Sequence, residues 1–282
     1  MREVRGALPF FEKTAVIVGG SRGIGRATAF ELARLGANIC IIARNEVVLR
    51  EVKEELEKNR ANQEQRMHCI SADATIEGQL RPSLESFVDE NGCDILINCV
   101  GGAIPHYIQD YTLADFEEAV DLNYMSAVIS IMSVLPHFMQ NGGHIVNISS
   151  IAGYLGLIGY APYSSAKFAV VGLSEALRHE LKPFKINVSV VYPPDTNTLT
   201  LKMEEETKFE ELKLLTAKAK LAQPEYVAKM IVAGIRQRKF NIHVGSSGWI
   251  NWTKRHLPWL YFWIIDRDLK RSRKRLGKMI DY

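Results

Sequence analysis

The chain has 282 residues, 47% hydrophobic and 24% charged, which excludes a disordered or fibrous protein and allows one α/β core with an appendage. Its net charge of +3 divides unevenly, since residues 249–282 hold nine Lys/Arg and three Asp while residues 1–248 sum to −3. The body therefore carries no electrostatic footprint for nucleic acid, and the tail is the basic part.

Cys40, Cys69, Cys93 and Cys99 show no Cys-x-x-Cys spacing, so neither a metal site nor a disulfide framework is expected, and the thiols read as small core hydrophobes in a reducing compartment. The opening "MREVRGALPFFEK" lacks the apolar core of a signal peptide. No stretch reaches the roughly 18 consecutive apolar residues of a spanning helix. The chain is expected on the cytosolic side.

In chain order, "TAVIVGG" reads as a buried strand that runs into "GGSRGIG" (Gly19–Gly25) and a helix over "IGRATAFELARLG". Glycines there let the backbone turn tightly and approach a pyrophosphate at the helix N-terminus. "ANICIIAR" is the second strand, and "NEVVLREVKEELEKN" a helix capped by Asn45. "RMHCISAD", a helix over "IEGQLRPSLESFVDENG" and the strand "DILINCVGG" follow. Two helical segments, about 112–124 and 124–140, lead to the strand "GGHIVNISS". A long helix over about 160–182, the strand "KINVSVVYPP", a helix over "EYVAKMIVAGIRQ" and the strand "NIHVG" complete the pattern. Apolar strands interleaved with helices predict a doubly wound, Rossmann-type parallel sheet with helices on both faces.

The spacing Gly19-x-x-x-Gly23-x-Gly25 is not that of the ordinary dinucleotide fingerprint. With "NCVGG", "DLNYMS", "NISSIAG" and "YSSAK" it resembles the short-chain dehydrogenase/reductase family over about residues 13–245. The resemblance implies Ser150, Tyr163, Lys167 and Asn123 as catalytic residues, Ser and Tyr standing thirteen apart. It also implies a nicotinamide cofactor held by Gly19, Ser21, Arg22, Gly23, Ile24, Gly25, Arg44, Asp73, Asn98, Tyr163, Lys167, Pro193, Thr196 and Thr198. Asp73 would contact the adenine, with a helix cap as its alternative role. Strand two ends in Arg44 rather than an acid, and Arg22 adds a second cation, which favours the 2′-phosphate of NADPH; a charged hydrogen bond to phosphate is worth about 1.5–3 kcal/mol.

Tyr163 and Lys167, four residues apart on one helix, share a face. An ammonium there, with an oxidised nicotinamide, should lower the phenol from its ordinary value near 10. Tyr163 would donate a proton to a carbonyl oxygen, Ser150 would hydrogen-bond that oxygen, and the resemblance implies that Lys167 binds the nicotinamide ribose and Asn123 holds a water in the proton path.

"YPPDTNT" (Tyr192–Thr198) resembles the 3-ketodihydrosphingosine reductases within the family, as do "QPEYVAKMIVAGI" and "FNIHVGSSG". Pro194 stiffens this loop, and Asp195 adds an acid beside the substrate entrance. Residues about 195–222 correspond to the substrate lid, with Leu199, Leu201, Met203, Phe209, Leu212 and Leu215 on an apolar side and Glu204–Glu206 on a solvated one. The implied activity is NADPH-dependent reduction of a long-chain lipid ketone. A hydroxysteroid or retinoid dehydrogenase and a non-catalytic NADPH-sensing regulator are the alternatives, and a homodimer or homotetramer is usual in the family.

Residues 1–248 are thus expected to form the cofactor-binding domain, and 249–282 a membrane-associating segment. "PWLYFWII" spans only about 12 Å as a helix against about 30 Å of hydrocarbon. Trp249, Trp252, Trp259 and Trp263 would fall within about an 80° arc if the segment were one helix, with Pro258 kinking it. Aromatics flanked by cations suit a lipid headgroup boundary, on the cytoplasmic side of a membrane. A subunit-interface arm is the alternative.

Overall fold

Apolar runs bounded by turns become strands, the central ones buried on both faces and the edge strands partly open. In the computed structural model, which describes residues 9–217 and 219–278, seven of them form one parallel sheet: β1 (Thr14–Val18), β2 (Asn38–Ala43), β3 (Met67–Ser71), β4 (Ile95–Asn98), β5 (Gly143–Ile148), β6 (Ile186–Tyr192) and β7 (Asn241–His243), ordered β3-β2-β1-β4-β5-β6-β7. Most of the N-terminal stretch screened for a signal sequence lies outside the described residues, as do residues 218 and 279–282 of the expected lid and tail. The order reverses between β1 and β4, where an open parallel sheet leaves a crevice at its carboxyl edge.

Side chains alternate across the sheet. Ala15 and Ile17 of β1 join one core cluster, and Val16 and Val18 the other. Helices α1 (Gly23–Arg34) and α9 (Pro224–Arg236) pack together on the first face; α3 (Glu77–Asn91) and α5 (Ser126–Asn141) pack together on the second. Asn45 caps α2 (Glu46–Lys58) as the sequence predicts, its Oδ1 accepting the Val48 N–H at 3.0 Å. Helix α6 (Ala161–Glu180) follows β5 and carries Tyr163 and Lys167.

The two segments expected over 112–140 are joined without a break. Helix α4 (Leu113–Val120) passes through a π turn (Asp121–Met125) into α5, and the widened turn carries Asn123. One 18-residue window of this run reaches a mean hydropathy of 1.4, apolar and long enough by composition to cross a membrane. A count of consecutive apolar residues overlooks it because polar residues interrupt the run. Its Ile129, Ile131, Val134 and Phe138 are buried in the second core cluster, which marks it as a core helix.

The segment expected to act as a lid folds as α7 (Leu199–Thr207) and α8 (Glu210–Thr216). In the tail, Pro258 separates two helices rather than kinking one: α10 (Ser247–His256) and α11 (Pro258–Arg275) flank Leu257, whose φ of −131° and ψ of 57° are not helical. The single tryptophan arc therefore does not exist, because Pro258 supplies no N–H to continue α10. All four Trp are nonetheless exposed, from 49% at Trp252 to 72% at Trp249. Tyr261 turns inward against Tyr154 and Tyr192, and α11 rests on α8, where Lys278 pairs with the buried Glu211 at 3.3 Å.

Candidate active site

The turn after β1 is built for close approach. Gly19 has φ +87°, and a Cβ on it would stand 2.8 Å from the Cys99 carbonyl carbon; Gly23, at φ +54°, faces the Thr198 methyl. Gly25 is buried directly against the Gly19 carbonyl. Arg22 is the N-cap of α1 and makes no side-chain cap, and the first turn holds no acid. The leading N–H groups of α1 are thus left for an anion, and the dipole favours one. These features fit the pyrophosphate of a dinucleotide.

A cleft of about 1170 Å³ runs from this loop to α6. Ser21, Ile24, Arg22, Arg44 and Asp73 line one end. Arg44 is largely exposed and lies 3.8 Å from the Asp73 carboxylate. Asp73 Oδ1 also accepts the backbone N–H and hydroxyl of Thr75, at 3.0 and 2.8 Å, so it caps its own turn. Pro193, Thr196 and Thr198 line the opposite wall. The Pro193 carbonyl accepts the Ile151 N–H at 3.3 Å, the Thr196 hydroxyl donates to the Pro194 carbonyl at 2.8 Å, and Thr198 caps α7 by accepting the Leu201 N–H at 3.2 Å.

At the far end Ser150, Tyr163 and Lys167 come together. Ser150, two residues past β5, accepts the Ala152 N–H at 3.1 Å; its hydroxyl is hydrogen-bonded to that of Tyr163. One helical turn on, Lys167 Nζ donates to the Ile148 carbonyl at 3.0 Å and lies 5.7 Å from the Tyr163 ring centre. Burial lowers the Lys167 ammonium to about 8. The phenol does not follow the expected downward shift within the chain itself. Enclosure raises it, the bond to Ser150 opposes that, and the Glu204 and Asp195 carboxylates add to the rise. The protein thus keeps Tyr163 protonated, as a proton donor requires.

Asn123 reaches the site through a loop. Its Oδ1 accepts the Gly102 N–H at 3.1 Å, and its amide donates to the Gly102 and Ala119 carbonyls at 2.9 and 3.0 Å. One amide hydrogen and the Oδ1 thus hold the segment after β4, and the other amide hydrogen bonds back to the preceding turn of the helix. Asn98 departs from its expected place. It is buried behind the cleft wall, in register with Asn147 on β5, and donates to Asn147 Oδ1 at 2.8 Å; Asn147 in turn donates to Ser174 at 2.9 Å. The side chain at this last strand position faces a polar chain inside the protein rather than the crevice.

Two features escape the linear reading. Glu204, assigned to a solvated side, lines the cleft and bonds the Tyr160 hydroxyl, while Glu205 and Glu206 are exposed as expected. Its i,i+3 relation to the buried Leu201 is the signal that could have placed it. Lys208 is fully enclosed between Glu204 and Glu205. On the apolar side Leu201 and Leu212 are buried, whereas Leu199 and Met203 are exposed along the cleft.

The family model for short chain dehydrogenases matches residues 13–208. The chain is 39% identical over 238 residues to a 3-ketodihydrosphingosine reductase of Bos taurus, which covers 83% of this chain and 72% of that protein. It is 37% identical over 246 residues to a 3-ketodihydrosphingosine reductase of Dictyostelium discoideum, covering 82% and 74%. Among solved structures, a dehydrogenase/reductase from Sinorhizobium meliloti 1021 superposes with a TM-score of 0.72 at 26% identity, over 86% of this chain and 98% of that one. Levodione reductase shares the fold, with a TM-score of 0.75 at 22% identity over 83% and 95%. Sequence, sheet order and site geometry agree: the chain belongs to the short-chain dehydrogenase family.

Proposed function

We propose that the chain reduces the keto group of 3-ketodihydrosphingosine to give dihydrosphingosine, with NADPH as reductant, in sphingolipid synthesis. The observation that carries this is a set of relatives, 37–39% identical over 82–83% of this chain, that bear the names 3-ketodihydrosphingosine reductase and 3-dehydrosphinganine reductase. Family membership brings a nicotinamide cofactor. The choice of NADPH is supported by Arg22 and Arg44 at one end of the cleft, where a guanidinium can pair with a 2′-phosphate.

When bound, the reduced cofactor supplies the hydride. The remaining work falls to the chain. Ser150 and Tyr163 present their hydroxyls to the ketone oxygen, and Tyr163 releases its proton to that oxygen as negative charge gathers there. The buried Lys167 ammonium then stabilises the phenolate left behind, and it would also hold the ribose of a bound nicotinamide cofactor. Asn123 fixes the Gly101–Gly102 loop beside Lys167 and orders the water path that returns a proton. The loop Pro193–Thr198 and the lid helices α7 and α8 close over the chain-like substrate, with Leu199 and Met203 along the cleft.

The same reading puts residues 249–282 against the cytoplasmic face of a membrane as a peripheral or monotopic segment. Its support is the exposure of Trp249, Trp252, Trp259, Phe262 and Trp263 beside the cations of α10 and α11. The deciding assay offers the purified protein NADPH with 3-ketodihydrosphingosine, a steroid ketone or retinal. Formation of dihydrosphingosine with oxidation of NADPH is expected; preferential turnover of the steroid or retinal would overturn the reading.

A further inference from the structure

Helix α7 brings into the cleft a carboxylate that the reaction above leaves unused. The Glu204 side chain is only 14% exposed. Its Oε1 accepts the Tyr160 hydroxyl, and the Tyr160 ring packs 6.1 Å, centre to centre, from that of Tyr163. The carboxylate is therefore fixed one aromatic ring away from the proton donor. Its Oε2 accepts no hydrogen bond among the described residues. Asp195 lines the same wall from the loop after β6, and its carboxylate likewise accepts none there.

The local cation is already committed. Lys208 Nζ lies 2.5 Å from Glu205 and 4.0 Å from Glu204. Three carboxylates, counting Asp195, thus face one ammonium. Burial raises both Asp195 and Glu204 from their ordinary carboxylate values, the mark of acids held from water without full compensation. A ligand that brings a positive charge to this wall would relieve that penalty.

An α-amino ketone carries such a charge on the carbon next to the reacting carbonyl. With its oxygen at Ser150 and Tyr163, the ammonium must lie beside that pair, and Glu204, anchored through Tyr160 one ring from Tyr163, lines the cleft on that side. Resting on the amino-ketone reading of the site, we propose that Glu204, supported by Asp195, is the specificity determinant that receives the substrate's α-ammonium group, Oε2 accepting one of its N–H bonds. The aliphatic chain then extends along Leu199 and Met203. The pair sets which ketones are chosen, whereas Tyr163 and Ser150 set how any ketone is reduced.

The test compares kcat/KM for 3-ketodihydrosphingosine and for the same ketone with hydrogen in place of the amino group. It uses the full chain as wild type, Glu204→Gln and Glu204→Asp, with NADPH fluorescence reporting that each variant is folded. The preference for the amino ketone should fall about 10- to 100-fold in Glu204→Gln, mainly through KM, and return in part in Glu204→Asp. If Glu204→Gln does not bind cofactor, Asp195→Asn carries the same comparison. An unchanged preference in a folded variant overturns the assignment while the reductase reading stands. A wild type that reduces the deaminated ketone but not 3-ketodihydrosphingosine overturns that reading itself.

Discussion

Gly101 stands directly against Lys167: a Cβ placed on it would come 2.9 Å from the lysine Nζ and 2.7 Å from Asn123 Oδ1. The loop after β4 therefore passes so close to Lys167 that a side chain at residue 101 would have to displace the ammonium or the Asn123 amide. Gly101→Ala should push the ammonium or the Asn123 amide out of place and lower kcat about 100-fold, the scale of an ångström-sized misplacement. Stopped turnover with an unchanged circular dichroism spectrum is the expected result. Wild-type kcat would mean that the loop yields.

Tyr163→Phe should cut turnover about 100- to 10,000-fold, the usual worth of a positioned proton donor. The ring and its helix remain, so NADPH affinity should stay within a few-fold by fluorescence titration. Near-normal turnover would assign the proton to another group.

Cofactor choice should follow Arg22 and Arg44. Replacing both with Ala is expected to raise the NADPH KM by about 10-fold or more, as expected for losing charged hydrogen bonds, with NADH little affected. A wild type that uses NADH as well as NADPH would remove the 2′-phosphate assignment.

Lys167 gives a stability signature. Its ammonium is lowered by burial from 10.5 to about 8. Between those values the unfolded chain binds more protons than the folded one, so this residue's contribution to stability rises with pH. Below about 8 the folded chain bears the cost of the buried charge. Cys40, Cys93 and Cys99, raised by burial from 9.0, act in the opposite sense at higher pH. Lys167→Met keeps the cysteines, so the Tm of wild type minus that of the variant isolates the lysine. That difference should increase from about pH 7.5 to 9.5; a flat difference would put the ammonium in water.

Replacing Trp249, Trp252, Trp259 and Trp263 with Ala should abolish co-sedimentation with anionic liposomes, and added salt should weaken wild-type binding, since surface charge acts only over about 8–10 Å. A variant that still sediments, or wild type that never does, would return the tail to the role of an interface arm. Sedimentation velocity would then report the change of assembly.

Where chemistry depends on order along the chain, the sequence is readable. The apolar β1 leads straight into glycines, and Tyr163 and Lys167 lie one turn apart on an unbroken helix, so spacing shows the loop and the shared face, while the role of proton donor comes from the resemblance of "YSSAK" to the family. Asn98 could not be placed that way, because its direction depends on register with Asn147 across β5. Glu204 reads as solvated beside Glu205 and Glu206, and in a nine-residue helix its i,i+3 spacing from Leu201 is the one sign of the cleft side. The π turn at Asn123 leaves no trace in composition, since one inserted residue alters no periodicity strongly enough to be seen.

Glu211 has one further consequence. The carboxylate is enclosed at the base of α8, held by the Tyr107 hydroxyl on one side and by Lys278 of the tail on the other, and the Tyr107 ring stacks on Phe209 of the lid at 3.9 Å. The Glu211 carboxylate thus ties Lys278 of the tail to α8. Cutting the chain at residue 248 would do more than strip an outer surface: it would leave the buried Glu211 carboxylate without Lys278 at the base of α8, and should slow even a short, freely dissolved ketone. Substituting the four indoles leaves that fastening whole, so the two alterations should separate delivery of substrate from its enclosure.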